Sequence, residues 1–165
     1  MGEEALTLSE DLPWFHGPAA GNIGQAYLAL DELEKAGQSF QQAVASYQAR
    51  QQAHLAPEPL AGLAQIALLK GEPEQALAII KPFLPAMIEG KLQGPDRLLW
   101  IYQVCYQVLA ANHDPLASEM IQAAHQLLTQ RATTIADEKR RQSYMTGVSE
   151  NNEIAQIWQT LIKGH

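Results

Sequence analysis

The chain has 165 residues, 47% of them hydrophobic and 18% charged, the balance of one globular domain with a buried core. Its single cysteine, Cys105, excludes an internal disulfide, and a net charge of −7 argues against nucleic acid as a partner. No apolar run approaches the roughly 18 residues needed to cross a bilayer, so no membrane partner is expected.

The charge is unevenly placed. Residues 1–34 hold seven acids (Glu3, Glu4, Glu10, Asp11, Asp31, Glu32 and Glu34) and no Lys or Arg, while the rest balances at eleven acids and eleven bases. The opening "MGEEALTLSE" lacks the basic-then-apolar pattern of a signal peptide, and Leu6 stands where a myristoylation motif needs Ser or Thr. The expected compartment is the cytoplasm.

Pro13 at a first helical position, after Asp11 or Leu12, predicts a helix running to about Leu30. A second helix follows from about Leu33 to Gln52. "LAPEP", 55–59, reads as a linker, and a third helix spans roughly 59–70. "KGEP" turns into a fourth, which should bend or break near Pro82, whose ring clashes with the Ala78 carbonyl. "EGKLQGPD", 89–96, is the clearest loop. Next comes a helix over about 96–111, "LLWIYQVCYQVL", apolar almost all round and so expected to be buried on several sides. "NHDP" turns into a helix over about 115–136. Lys139, Arg140 and Arg141 read as a solvated helix face. "TGVSE" precedes a last helix, about 149–163, with Ile154, Ile157, Trp158, Leu161 and Ile162 on one face and Ser149 or Asn151 as N-cap.

A repeat underlies this order. From Gly24, Tyr27 lies three residues on, Ala36 twelve, Phe40 sixteen and Ala43 nineteen. From Ala64 the same offsets give Ala67, Ala76, Ile80 and Phe83, with Gly71 seven on. From Cys105 they give Val108, Ala117, Ile121 and Ala124. The anchors stand 40 and 41 residues apart. Two antiparallel helices approach closely only where one presents a small residue and the other fills the space with a large one. Gly24 and Ala36 would let their helices touch, Tyr27 and Phe40 would fill the gap beside them, and Ala43 would admit the next repeat.

These offsets resemble the tetratricopeptide repeat. "GNIGQAYLALDELEKAGQSFQQAV" matches the family pattern except at Asp31, where the family usually has a turn glycine. "LAGLAQIALLKGEPEQALAII" keeps that glycine as Gly71 but has Ala67 for the aromatic. "IYQVCYQVLAANHDPLASEMIQAA" rests mainly on Ala117 and Ala124. The resemblance implies an all-α fold: a right-handed α-solenoid of about three hairpins (13–52, 57–89 and 96–136) with a capping helix at 149–163, all in one domain over 1–165. "DLPWFHGPAAGNIGQAYLAL" also resembles the repeat region of maltotriose-activator-like regulators. "VCYQVLAANHDPLASEMIQAAHQLLTQRATTIAD" and "RQSYMTGVSENNEI" resemble the C-terminal end of long bacterial signalling ATPases of the signal-transduction (STAND) type. That kinship implies a sensor or scaffold piece of a larger protein.

No residues converge on chemistry. His16, His54, His113, His125 and His165 form no metal-binding pair, and Cys105 occupies a packing position. There is no phosphate loop and no G-x-S-x-G elbow. The chain therefore reads as non-catalytic, with no cofactor and no metal. In the resembled fold the first helix of each hairpin lines a concave groove. This places Asn22, Gln25, Gln65, Tyr102 and Tyr106 there as candidate peptide-binding residues, beside Gly21. The carboxylate clamp of chaperone-binding repeats needs Lys and Arg, and this groove has neither. The expected partner is a protein, a peptide or another domain of the same protein; the other reading is a self-association module forming a structural homodimer.

Overall fold

A computed structural model describes residues 16–163 of the chain. The element order is α1 (His16–Ala29), α2 (Leu33–Ala49), a 3-10 turn (Ala53–Leu55), α3 (Pro57–Leu69), α4 (Pro73–Ile80), α5 (Leu84–Ile88), α6 (Leu98–Ala111), α7 (Leu116–Thr133), α8 (Glu138–Gly147) and α9 (Ser149–Lys163). There is no strand among the described residues. The expected helix start at Pro13, Trp14 and His165 lie outside the described residues.

Most expected helices are found, with two differences and one expected break. The stretch 55–59 is not a linker. It finishes the 3-10 turn and opens α3, with Pro57 at a first-turn position where a missing N–H costs nothing. The helix break near Pro82 occurs as the ring clash requires, α4 ending at Ile80 and α5 beginning at Leu84. Helix α8 carries Lys139, Arg140 and Arg141, expected on a solvated helix face, but its bounds were not expected. It has no buried residue, so it carries no apolar period to read, and it is nucleated by the Asp137 carboxylate accepting from the Arg140 backbone N–H at 2.7 Å.

Three helix hairpins, α1–α2, α3–α4 and α6–α7, close through one and the same turn. After α1, the Asp31 N–H donates to the Leu28 carbonyl at 3.1 Å and the Glu32 N–H to the Tyr27 carbonyl at 2.9 Å. After α3, Gly71 and Glu72 donate in the same way to Leu68 and Ala67, both at 2.9 Å. After α6, His113 and Asp114 donate to Ala110 and Leu109, at 3.0 and 2.9 Å. This is the Schellman motif, which needs a left-handed residue just past the helix. Asp31 (φ 61°), Gly71 (φ 77°) and His113 (φ 54°) supply it. The turn that the family resemblance assigns to glycine is thus kept at Asp31 despite its side chain. The same motif ends α2 at Gln51 (φ 59°) and α5 at Gly90 (φ 65°), which is why α2 stops three residues before Gln52.

The chain divides into two compact units: the first from the N-terminal part through Phe83 together with Leu92–Asp96, the second from Leu84–Lys91 and Arg97 onward. In the first, α2 packs on α1 and α3, α3 packs on α4, and α1 reaches α3. Its centre is Phe40, fully buried beside Ala36 and Ile66. A methyl group built at Gly24 on α1 would fall 2.7 Å from the Phe40 ring, and one at Gly62 on α3 would fall 2.5 Å from it. The ring fills a slot made by the two glycines. Tyr47 repeats the device against Gly17, at 2.7 Å.

In the second unit, α6 is the central helix, buried continuously from Leu99 to Cys105 and again at Val108 and Leu109, as its unbroken apolar character predicts. It packs on α7, and α9 lies against α6, α7 and α8. Ile154 is the fully buried anchor of α9, whereas Ile162, expected on the same face, is 54% exposed. Asn151 does not cap α9: its Nδ2 donates to the Tyr144 carbonyl at 2.9 Å and fastens α9 to α8. Arg97 joins the start of α6 to α9, its guanidinium 2.8 Å from Glu150 and 4.8 Å from the Trp100 ring centroid. Burial raises the Glu150 pKa. Its own backbone N–H and Arg97 outweigh that and hold the carboxyl below its ordinary value.

Two predictions come from these contacts. Gly24→Ala and Gly62→Ala should each destabilise by about 1–3 kcal/mol through overpacking against Phe40, while Gly21→Ala, with nothing near its Cβ, should stabilise α1 by up to about 1 kcal/mol. Urea unfolding that gives all three the same sign refutes the slot. Gln51→Gly and His113→Gly should each stabilise by about 0.5–1 kcal/mol by relieving a left-handed backbone, and Gly71→Ala should cost about 1 kcal/mol. Melting temperatures that move the opposite way refute this account of the turns.

Candidate binding site

Pro18, Gly21, Asn22 and Gln25 recur at three- and four-residue spacing and so share one face of α1. In the first unit this face forms one wall of a cavity of about 230 Å³. Phe40 and Tyr47 of α2 reach it with their aromatic rings. The opening turn of α3 contributes Glu58 and Pro59, and the loop from Gly94 to Asp96 completes the wall with Leu55.

The loop can lie where it does because residue 94 is glycine. Its φ of 110° is a conformation side chains rarely adopt, and a Cβ there would stand 2.9 Å from Leu55 and 3.1 Å from His54. The Asp96 N–H then donates to Glu58 Oε2 at 3.2 Å, pinning the loop to the start of α3. Glu58 and Asp96 both act on the Tyr47 phenol: burial first, then these two carboxylates, push its pKa above the ordinary tyrosine value. None of the cavity's lining residues is Lys, Arg or His.

The charge of the protein follows the same division. Among the described residues the first unit holds seven acids and four Lys or Arg and the second seven of each, so the excess of acids lies with the first unit.

Two of the five residues expected in a groove, Asn22 and Gln25, line this cavity. Asn22 is exposed, while Gln25 buries its Nε2 with no hydrogen-bond partner. Gln65, forty residues on and half-buried on α3, buries its Oε1, also with no partner. Tyr102 and Tyr106 belong to the second unit. The expectation for Tyr102 needs correction. It is 3% exposed, and its hydroxyl donates to the Met87 carbonyl at 2.6 Å, so it ties α5 to α6 rather than facing solvent. Tyr106 is half-buried one turn on. Polar and ring contacts hold α9 in place. Gln103 and Gln107 both donate to Glu153, Gln107 at 3.1 Å, and Trp158 stacks on His125 with centroids 5.2 Å apart.

Sequence reasoning missed Tyr47, Glu58, Gly94 and Asp96. Only "GPD" carried a signal, as a turn, and nothing in it pointed back to α1. A second, open groove of about 490 Å³ runs between α2, α3 and α4, floored by Leu63, Ile66 and Ile79 and spanned by the Lys70–Glu34 ion pair at 3.4 Å.

Among the described residues no group of three His, Cys, Asp or Glu side chains could hold a metal ion, and no helix is long and apolar enough to cross a membrane. Cys105 is buried, which pushes its thiol far above the ordinary range and keeps the thiolate, the nucleophilic form, from forming. No family model, curated protein or solved structure matches this chain.

If Tyr102 is a structural pin, Tyr102→Phe should cost about 1 kcal/mol for the lost buried hydrogen bond, and Tyr102→Ala about 3–5 kcal/mol. Tyr102→Ala unfolding at the wild-type temperature in calorimetry refutes that role.

Proposed function

We propose that this protein is a non-catalytic interaction module built of tetratricopeptide-like hairpins wound as a right-handed α-solenoid, and that the α1 face bearing Asn22 and Gln25 binds a protein or peptide partner. One observation carries the reading: three hairpins closed by the same turn, with the left-handed residue recurring at Asp31, Gly71 and His113, forty and forty-two residues apart. A hairpin of this kind cannot bury its apolar face alone, and repeats of 20–45 residues stack for that reason, exposing one long face to partners. The cavity adds a place where a partner's side chain can be enclosed. The resemblance to signalling ATPases extends the proposal: the module serves as the sensor or scaffold part of a larger bacterial regulatory protein in the cytoplasm.

The test is a photo-crosslinking amino acid placed at Asn22, exposed at the cavity rim, and, as a control, at Gln126, exposed on α7 of the second unit. In the source cell the Asn22 position should capture a distinct protein that the Gln126 position does not. Capture of a second copy of the same chain identifies a self-association module instead, and equal labelling from both positions overturns the assignment of the face.

A further inference from the structure

We infer that the cavity of the first unit takes a cationic side chain, arginine or lysine, of a bound peptide. The inference rests on the interaction-module reading and specifies the partner's chemistry.

Size limits the occupant. At about 230 Å³ the cavity lies below the roughly 300–1,000 Å³ of sites for drug-sized molecules. It is on the scale of a side chain.

The walls select charge. Glu58 and Asp96 present carboxylates, Tyr47 presents an aromatic ring, and no base lines the cavity. A guanidinium is suited to both kinds of wall, since it bonds carboxylates through paired N–H groups and lies well against aromatic faces. A peptide's C-terminal carboxylate would meet two like charges there. Among the described residues the first unit holds seven acids to four Lys or Arg, an excess that acts at longer range and in the same sense, drawing cations toward this unit and repelling anions.

The experiment uses the full chain and two capped tripeptides, acetyl-Ala-Arg-Ala-amide and its citrulline counterpart, which replaces the guanidinium with a neutral urea of the same shape. Nuclear magnetic resonance titration with the arginine peptide should give saturable shifts at the amides of Gly21, Asn22, Gln25 and Gly94. The citrulline peptide should bind about tenfold more weakly or worse, as should the arginine peptide to Glu58→Gln. Gly21→Leu, whose Cβ has open space, should fill the cavity and abolish the saturable shifts without lowering the melting temperature. Equal affinity for the two peptides, shifts confined to other surfaces, or no saturation up to the solubility limit overturns the inference. A partner crosslinked from Asn22 alongside a failed arginine titration removes this inference alone. A successful titration without such a partner removes the module reading alone.

Discussion

Phe40 needs two glycines. Its ring lies between Gly24 and Gly62, and a single added methyl on either side would overlap it. Three helices are thereby locked at short range by one side chain, and much else in the first unit depends on that spacing. Because α2 sits deep between α1 and α3, the α1 face and the opening turn of α3 come to flank one cavity, with Phe40 and Tyr47 reaching it from α2. A larger residue at either glycine would force the helices apart and open the cavity as well as the core, since the same ring belongs to both.

The sequence made part of this visible and hid the rest, for physical reasons. The Gly24–Phe40 pairing could be read because packing between neighbouring helices leaves a fixed small-to-large offset. The second glycine was missed because the repeat register pointed to Ala64, while the residue facing the ring is Gly62. The bounds of helix α8 could not be read because it buries nothing, so hydrophobic period, the strongest helix signal, is absent. The turns at Asp31 and His113 were legible as helix boundaries, whereas the one at Gln51 was not, because glutamine carries no turn signal and the helix was expected to run on to Gln52. Asn22 and Gln25, on one flank of the cavity, were singled out by the family resemblance, which puts the first helix of each hairpin on a groove. The other flank, Glu58 and Asp96, comes from a helix start and a loop more than thirty residues away, and no periodicity relates such places. Tyr102 was misjudged because a tyrosine spaced one turn from another reads equally well as contact surface or as core. The Met87 carbonyl within reach of its hydroxyl decides for the core.

The two units differ in how they hold their polar groups. The second settles its charges and amides internally, through Arg97 with Glu150, Gln103 and Gln107 with Glu153, and Asn151 with the Tyr144 carbonyl. The first leaves Gln25 and Gln65 with buried amide atoms unpaired and gathers acids around a cavity. Buried polar atoms left unmatched lower stability by about 1–3 kcal/mol each, so the first unit forgoes stability that the second keeps.

The path of the chain matters for anyone who would divide this protein. After Phe83 the backbone enters the second unit for Leu84–Lys91, returns to the first for Leu92–Asp96, and leaves again at Arg97. That five-residue return carries Gly94, Pro95 and Asp96, a wall of the cavity and the backbone donor that anchors Glu58. A fragment ending at Phe83 keeps α1 through α4 and lacks that wall. A fragment ending at Asp96 keeps it, but with α5 stranded outside the helices it packs on. The boundary between the units is therefore not a linker that can be cut, and the cavity is a property of the uninterrupted chain.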